Sequence, residues 1–396
     1  DDCSSDATAD VVARIAERDA RVRLLRKDVN EGAYPTRNAG ARLATGDYLT
    51  VHDSDDWSHP QKIELQVAAL ESHPDRKAVV THWVRVGEGL EIVGPWVPWG
   101  SLFDINLSSM MFERALFERL GPWDAVKISA DAEFYYRLRA LYGEASVLKL
   151  PTVQLLSLSL AREDSLTRSK ATHLRSLYYG LRWNYRDAYL RWNEQLESDR
   201  DARIVDPATG RRRFPVPIGC LPKKPASLHY GLVVVGDFAE ADEPLRRALG
   251  ALEAASAAGR RVAVVHWRKY ERTARTPLLA SFYAAVLRTG ADILSPGDRV
   301  EADLVVVVEA ALAEHRIDPL PEMRSPRVLA VVDAAPIGPA VLPVERVRSH
   351  LQAIFGVEPV LVASAVDSGA AAAERLRGWL PQCALRAAAG PAALPA

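Results

Sequence analysis

The chain has 396 residues, 48% hydrophobic and 26% charged, with 50 basic against 51 acidic side chains. It is long enough for two domains, and so even a charge balance argues against nucleic acid or another polyelectrolyte as a partner. Three widely spaced cysteines, Cys3, Cys220 and Cys383, form no CxxC pair and argue for a reducing, cytoplasmic setting. No apolar run approaches the roughly 20 residues of a transmembrane helix.

The chain opens Asp1-Asp2-Cys3-Ser4-Ser5-Asp6-Ala7-Thr8 and enters a helical pattern, with Val11, Val12, Ile15 and Ala16 on one face and Thr8 as the expected cap. A strand is predicted over Val22 to Leu25. Asn30-Glu31-Gly32-Ala33-Tyr34-Pro35-Thr36-Arg37-Asn38-Ala39-Gly40 reads as a loop running into a helix that holds Arg37 and Arg42 and closes at Gly46.

The most informative segment follows. An apolar strand beginning at Tyr48 delivers Asp53, Asp55 and Asp56 to one strand end. Carboxylates this close repel unless neutralised, and hard oxygen ligands suit magnesium or manganese. A hard cation held by one or two carboxylates completes its shell with water and phosphate oxygens, so the cluster implies a phosphate-bearing substrate. A solvated acidic turn is the alternative. Further on, Ser108 to Phe112 reads as a strand, Arg114 to Leu120 as a helix, and Gly121-Pro122-Trp123-Asp124 as a turn. A helix then carries Asp131, Glu133 and Arg137, the last two spaced for an ordinary ion pair on the helix surface.

In order and separation these motifs resemble the inverting, family 2 glycosyltransferases of the GT-A fold. The resemblance covers roughly residues 1 to 170. It implies that Asp2, with Asp1 beside it, binds the uracil of a nucleotide-sugar. Arg37 would contact base or phosphate, Asp53 the ribose, and Asp55, supported by Asp56, the Mn2+ or Mg2+ ion. The passage Ile128-Ser129-Ala130-Asp131 matches the family's acidic catalytic motif, with Ala130 where glutamate is common, so Asp131 is assigned as the base. In an inverting displacement one general base takes the acceptor hydroxyl proton, and no covalent nucleophile is needed. Trp96, Trp99 and Trp123 are candidates for stacking on a sugar, with core packing as the alternative. The family's fold opens with an apolar strand ahead of the first motif, so the expectation here is an amino-terminally truncated transferase domain.

Arg175 to Leu196 is aromatic-rich and helical, and is expected to pack against the transferase domain. Residues 199–227, with Arg211-Arg212-Arg213 and several prolines, read as a linker. From Tyr230, strands at Leu232 to Val235, Val262 to His266, Leu304 to Val308, Val328 to Val332 and Val360 to Val362 alternate with helices such as Pro244 to Ala258, the pattern of a parallel α/β sheet. Gly236 to Asp242 carries one glycine and three acids, so neither a dinucleotide nor a P-loop fingerprint is present. This domain weakly resembles the amino-terminal half of a GT-B glycosyltransferase, with a plain α/β interaction domain as the alternative.

The expected fold class is therefore α/β, a GT-A-type sheet domain with a second, Rossmann-like parallel domain. The expected divisions are 1–198, linker 199–227, 228–368, and an alanine-rich tail 369–396. The implied partners are a nucleotide-sugar, UDP-linked, and a saccharide or glycoconjugate acceptor. Two rivals stay open: a non-catalytic remnant that binds nucleotide or a partner protein, and a phosphohydrolase using Asp53 as nucleophile, with Lys127 available.

Overall fold

A computed structural model describes residues 1–95, 97, 100–161, 172–196, 201–223, 228–273, 275–315, 319–333 and 342–363. The alanine-rich tail, Cys383, Trp96 and Trp99 lie outside the described residues. The chain divides into two compact units, one of residues 1–174, 189–213 and 220–223, the other of 175–188, 214–219 and 224–396.

The first unit starts with α1 (Thr8–Ala16) and α2 (Ala33–Leu43), then β1 (Tyr48–Leu49), β2 (Trp57–Ser58), α3 (Lys62–Ser72), β3 (Ala78–Val86) and β4 (Asp104–Glu113). It continues with α4 (Arg114–Leu120), α5 (Ala130–Tyr142), β5 (Val147–Lys149) and β6 (Ser157–Leu160), while α6 (Leu181–Asn193) contributes its last turn. The sheet order is β1-β4-β3-β6-β2, with β5 alongside β3. Pairing is mixed: β3 runs antiparallel to β4 and parallel to β5 and β6. Leu70, Val79, Met111, Leu150 and Leu156 cluster where α3 covers this sheet.

Several local expectations are corrected. Thr8 does not cap α1; the Asp6 carboxylate accepts from the Thr8 backbone N–H one residue outside the helix start. Residues 22–25 enter no strand ladder; they are held by the Asp1 amino group donating to Leu25 O, by Lys27 N–H donating to Asp1 O and by Arg23 Nη1 donating to Leu43 O at 3.2 Å. α2 ends at Leu43, where the backbone turns extended at Ala44, before Gly46 is reached.

The pair Glu133 and Arg137 is not on a helix surface. Both side chains are fully buried, with Nε and Oε1 at 2.9 Å, and the guanidinium also donates to Leu120 O at 2.6 Å and Pro122 O at 3.1 Å. The loop after α4 wraps this face of α5, so the arginine becomes the donor that satisfies its carbonyls. Residues 201–223 are folded as well: Val205 bridges Arg212, Phe214 and Cys220 are buried, and Arg212 pairs with the buried Asp124. Two of the basic triplet, Arg212 and Arg213, thus act within the chain, the latter paired with Asp201. Of the aromatic stripe, Tyr189 stacks on Tyr136 in this unit.

The second unit contains β7 (His229–Tyr230), β8 (Leu232–Gly236), α7 (Glu243–Ala257), β9 (Val262–His266), α8 (Ala280–Thr289), β10 (Asp292–Leu294), β11 (Arg299–Ala302), β12 (Val305–Val307), β13 (Glu322–Arg324), β14 (Val328–Val332), α9 (Val344–Phe355) and β15 (Val360–Ala363). Its main sheet is wholly parallel in the order β10-β9-β8-β12-β14-β15. Counted along this sheet the order is 3-2-1-4-5-6, the doubly wound arrangement of a Rossmann-like domain. Strands β8 and β9 are buried at every residue, as a sheet covered on both faces requires. Both units are α/β, as expected. The short strands β7, β10, β11 and β13 were missed because two to four residues carry no readable period.

Candidate functional site

The site of the first unit is assembled by the amino-terminal ends of α2 and α5 and the acidic loop between β1 and β2. Gly32, at φ 93°, begins α2 in a backbone conformation that disfavours side chains. The Asp2 carboxylate fixes this start, accepting from Glu31 N at 2.9 Å, Gly32 N at 2.7 Å and Thr36 Oγ1 at 2.9 Å. Its oxygens are therefore largely occupied by the 31–36 turn. Asp1 accepts from Ser4 N at 3.3 Å and its carboxylate is 3.7 Å from Arg26 Nε.

With α2 set, Tyr34 and Arg37 fall on one helix face, and the Arg37 guanidinium lies 5.0 Å from the centroid of the Tyr34 ring. Arg37 pairs with Asp53 of the acidic loop. Tyr34 donates its hydroxyl to Asp131 Oδ1 at 2.8 Å. Asp131 sits in the first turn of α5, entered through Ser129 in the left-handed conformation at φ 62°, and a helix amino terminus favours its negative charge. The Ala132 N–H donates to the same Oδ1 at 2.9 Å. Four residues from three chain segments thus form one linked group: Asp131, Tyr34, Arg37 and Asp53. Burial and the Asp131 charge push the Tyr34 hydroxyl well above its ordinary pKa, while Arg37, although burial opposes it, is held protonated by Asp53, Tyr34 and Asp131.

Asp55 is exposed and Asp56 half-buried. Burial, then the charge of Asp53, and more weakly that of Asp55, push Asp56 up to about 6, against hydrogen bonds from Ser159 and the Leu160 backbone. Pairing of Trp57 with Leu158 pins the loop's end to β6. Among the described residues no group of three or more His, Cys, Asp or Glu side chains converges as a metal site. The donor chemistry nevertheless fits a hard divalent cation bound jointly by one or two carboxylates and a diphosphate, because the cluster holds uncompensated negative charge. Asp55 and Asp56 are the residues that would hold it.

Trp123 is corrected. It is 6% exposed and packs against Phe112, Phe117 and Phe134, with centroids 5.4 to 5.9 Å away. The buried Asn38 holds its backbone, donating to Trp123 O at 2.8 Å and accepting from Trp123 N at 3.0 Å. An indole sealed in this way has no open face for a sugar.

Sequence reasoning missed Tyr34, though its spacing of three from Arg37 was a usable signal. It also missed Lys62, 4% exposed at the start of α3, whose ammonium donates to Ser58 Oγ at 3.1 Å while Ser58 Oγ lies 3.0 Å from His52 Nδ1. Burial lowers Lys62 to about 8, against the pull of Asp56 and Asp53.

Comparison with known proteins bears on this arrangement. Residues 1–123 match the family model described as Glycosyl transferase family 2. A succinoglycan biosynthesis protein, ExoO, of Rhizobium meliloti is 45% identical over 67 residues, covering 17% of this chain and 19% of that one. An uncharacterized glycosyltransferase of Haemophilus influenzae is 37% identical over 83 residues, covering 21% of this chain and 32% of that one. The chain thus spans at most about a third of these two relatives. Among solved structures, S. aureus TarS 1-349 in complex with UDP-GlcNAc aligns with 50% of this chain and 58% of its own, at 17% identity and a TM-score of 0.35. The segment that matches the family model holds Asp2, Tyr34, Arg37, Asp53, Asp55 and Asp56, and stops short of Asp131.

In the second unit the crevice at the carboxyl ends of β8 and β12, where such sheets usually bind ligands, is filled by the chain's own charges. Asp237 accepts from Arg272 Nε at 2.7 Å, and Lys269 Nζ lies 3.1 Å from both Asp242 and Glu309. Asp242 caps α7 through Leu245 N, filling the position a phosphate would take. Burial holds His266, behind Asp237, neutral with its pKa near 4.

Proposed function

We propose that the protein transfers a sugar from a nucleotide-sugar, UDP-linked, to a saccharide acceptor with inversion, assisted by Mn2+ or Mg2+. The observation that carries this reading is the linkage of Asp131 through Tyr34 and Arg37 to Asp53. It joins the expected base to the expected donor-binding arginine and acid. The match of residues 1–123 to family 2 supports the reaction class, and the relative named for succinoglycan biosynthesis supports a polysaccharide acceptor.

In this mechanism Asp131 takes the acceptor hydroxyl proton as the hydroxyl oxygen attacks the anomeric carbon. The bond from that carbon to the diphosphate oxygen breaks, and its electron pair leaves with the nucleoside diphosphate. Arg37 stabilises the charge that develops on the leaving group. A divalent ion bound with the donor would supply further positive charge there, with Asp55 and Asp56 as its protein ligands. The nucleoside recognition expected of Asp2 takes an indirect form: the carboxylate shapes the 31–36 turn, and donor contact passes to that turn and to Asp53.

The phosphohydrolase reading is weakened by the ion pair of Asp53 with Arg37, which lowers its nucleophilicity. Among the described residues no helix is long and apolar enough to cross a membrane. Calorimetric titration with UDP, with and without manganese, tests the donor site. Manganese-dependent binding that Asp55→Asn removes supports the reading, and binding indifferent to both would overturn it.

A further inference from the structure

The two oxygens of Asp131 are unequal. Oδ1 accepts from both the Tyr34 hydroxyl and the Ala132 N–H, while among the described residues Oδ2 takes no hydrogen bond. A carboxylate that must receive a proton needs one open oxygen, aimed consistently. Two fixed donors on Oδ1 lock the carboxylate rotamer and reserve Oδ2 for the acceptor.

We propose that Tyr34 is a positioning residue for the base, holding the Asp131 carboxylate so that Oδ2 alone meets the acceptor hydroxyl. The inference rests on the transferase reading above. Tyr34 is 7% exposed, and its ring lies beneath the Arg37 guanidinium, so the phenol has little freedom to swing away. Its hydroxyl stays a donor at any working pH, because burial and the neighbouring carboxylate oppose its ionisation. The groups acting on Asp131 are Tyr34 and Arg37 of α2, with Arg37 partly neutralised by Asp53, and the Ala132 N–H of its own helix.

Tyr34→Phe keeps the ring and the cation contact and removes only the donor. The expected result is a kcat reduced roughly tenfold, with the KM for the UDP-sugar and the affinity for UDP unchanged. In an Asp131→Asn background the same change should have no further effect, since the group it positions has gone.

The measurement is kcat and KM for UDP release from a UDP-sugar for the four proteins of this cycle. A kcat that stays at the wild-type value in Tyr34→Phe, or an equal loss with and without Asp131, would overturn the positioning role while leaving the transferase reading intact. Wild-type turnover in Asp131→Asn alone would instead remove the reading beneath it.

Discussion

Tyr34 and Asp131, 97 positions apart in the chain, meet in a hydrogen bond of 2.8 Å that joins the start of α2 to the start of α5. Because Arg37 lies one turn after Tyr34 and reaches Asp53, the bond connects the acidic loop to the base through a single helix turn. The first prediction concerns that turn. Arg37→Met removes the cation placed for the leaving group, and turnover should fall by about 10²–10³, the usual cost of one preorganised charge. Steady-state assay of UDP release checks this, and a loss below threefold would deny Arg37 the role.

The acidic loop makes a pH prediction. Asp56 titrates near 6 in the fold against an ordinary 3.8, so the folded state holds the extra proton between those values. Stability contributed by that proton is present below about pH 4 and is lost as pH rises through 6. Asp56→Asn should therefore raise the melting temperature at pH 7 and leave it nearly unchanged at pH 4. Thermal unfolding at the two pH values is the measurement, and a destabilised variant at pH 7 would contradict the account.

The same proton competes with a metal. Manganese affinity in the presence of UDP should be about tenfold weaker at pH 5 than at pH 7.5, since a ligand titrating near 6 is mostly protonated at the lower pH. Calorimetry at both values tests this, and equal affinities would remove Asp56 from the ligand set.

The buried pair predicts stability. Arg137→Met strands the Glu133 carboxylate and the carbonyls of Leu120 and Pro122, at a cost of about 3–5 kcal/mol. Adding Glu133→Leu should recover part of it, because no buried charge is left unpaired. Urea unfolding of the single and double variants gives both numbers.

What could be read in the sequence followed the range of the signal. The strands from Leu232 onward announced themselves as apolar runs of β-branched residues, and Arg37, Asp53 and Asp131 stood in short ordered motifs. Tyr34 was hidden because its partner lies 97 residues away, and only its spacing of three from Arg37 marks it locally. Glu133 and Arg137 show the converse error, since their spacing suits a surface pair and only the loop packed over α5 buries them. Trp123 was misjudged because an indole in a turn gives no sign of burial until Phe112, Phe117 and Phe134 pack around it in the fold.

The most direct test of the central claim compares Asp131→Asn with Asp53→Asn in two assays, UDP release from a UDP-sugar with metal and hydrolysis of para-nitrophenyl phosphate. An inverting transferase predicts that Asp131→Asn lowers UDP release by about 10²–10⁴ while nucleotide affinity changes little, with no phosphate ester cleavage by any variant. Ester cleavage that survives Asp131→Asn and disappears with Asp53→Asn would contradict it and make Asp53 the nucleophile of a phosphohydrolase.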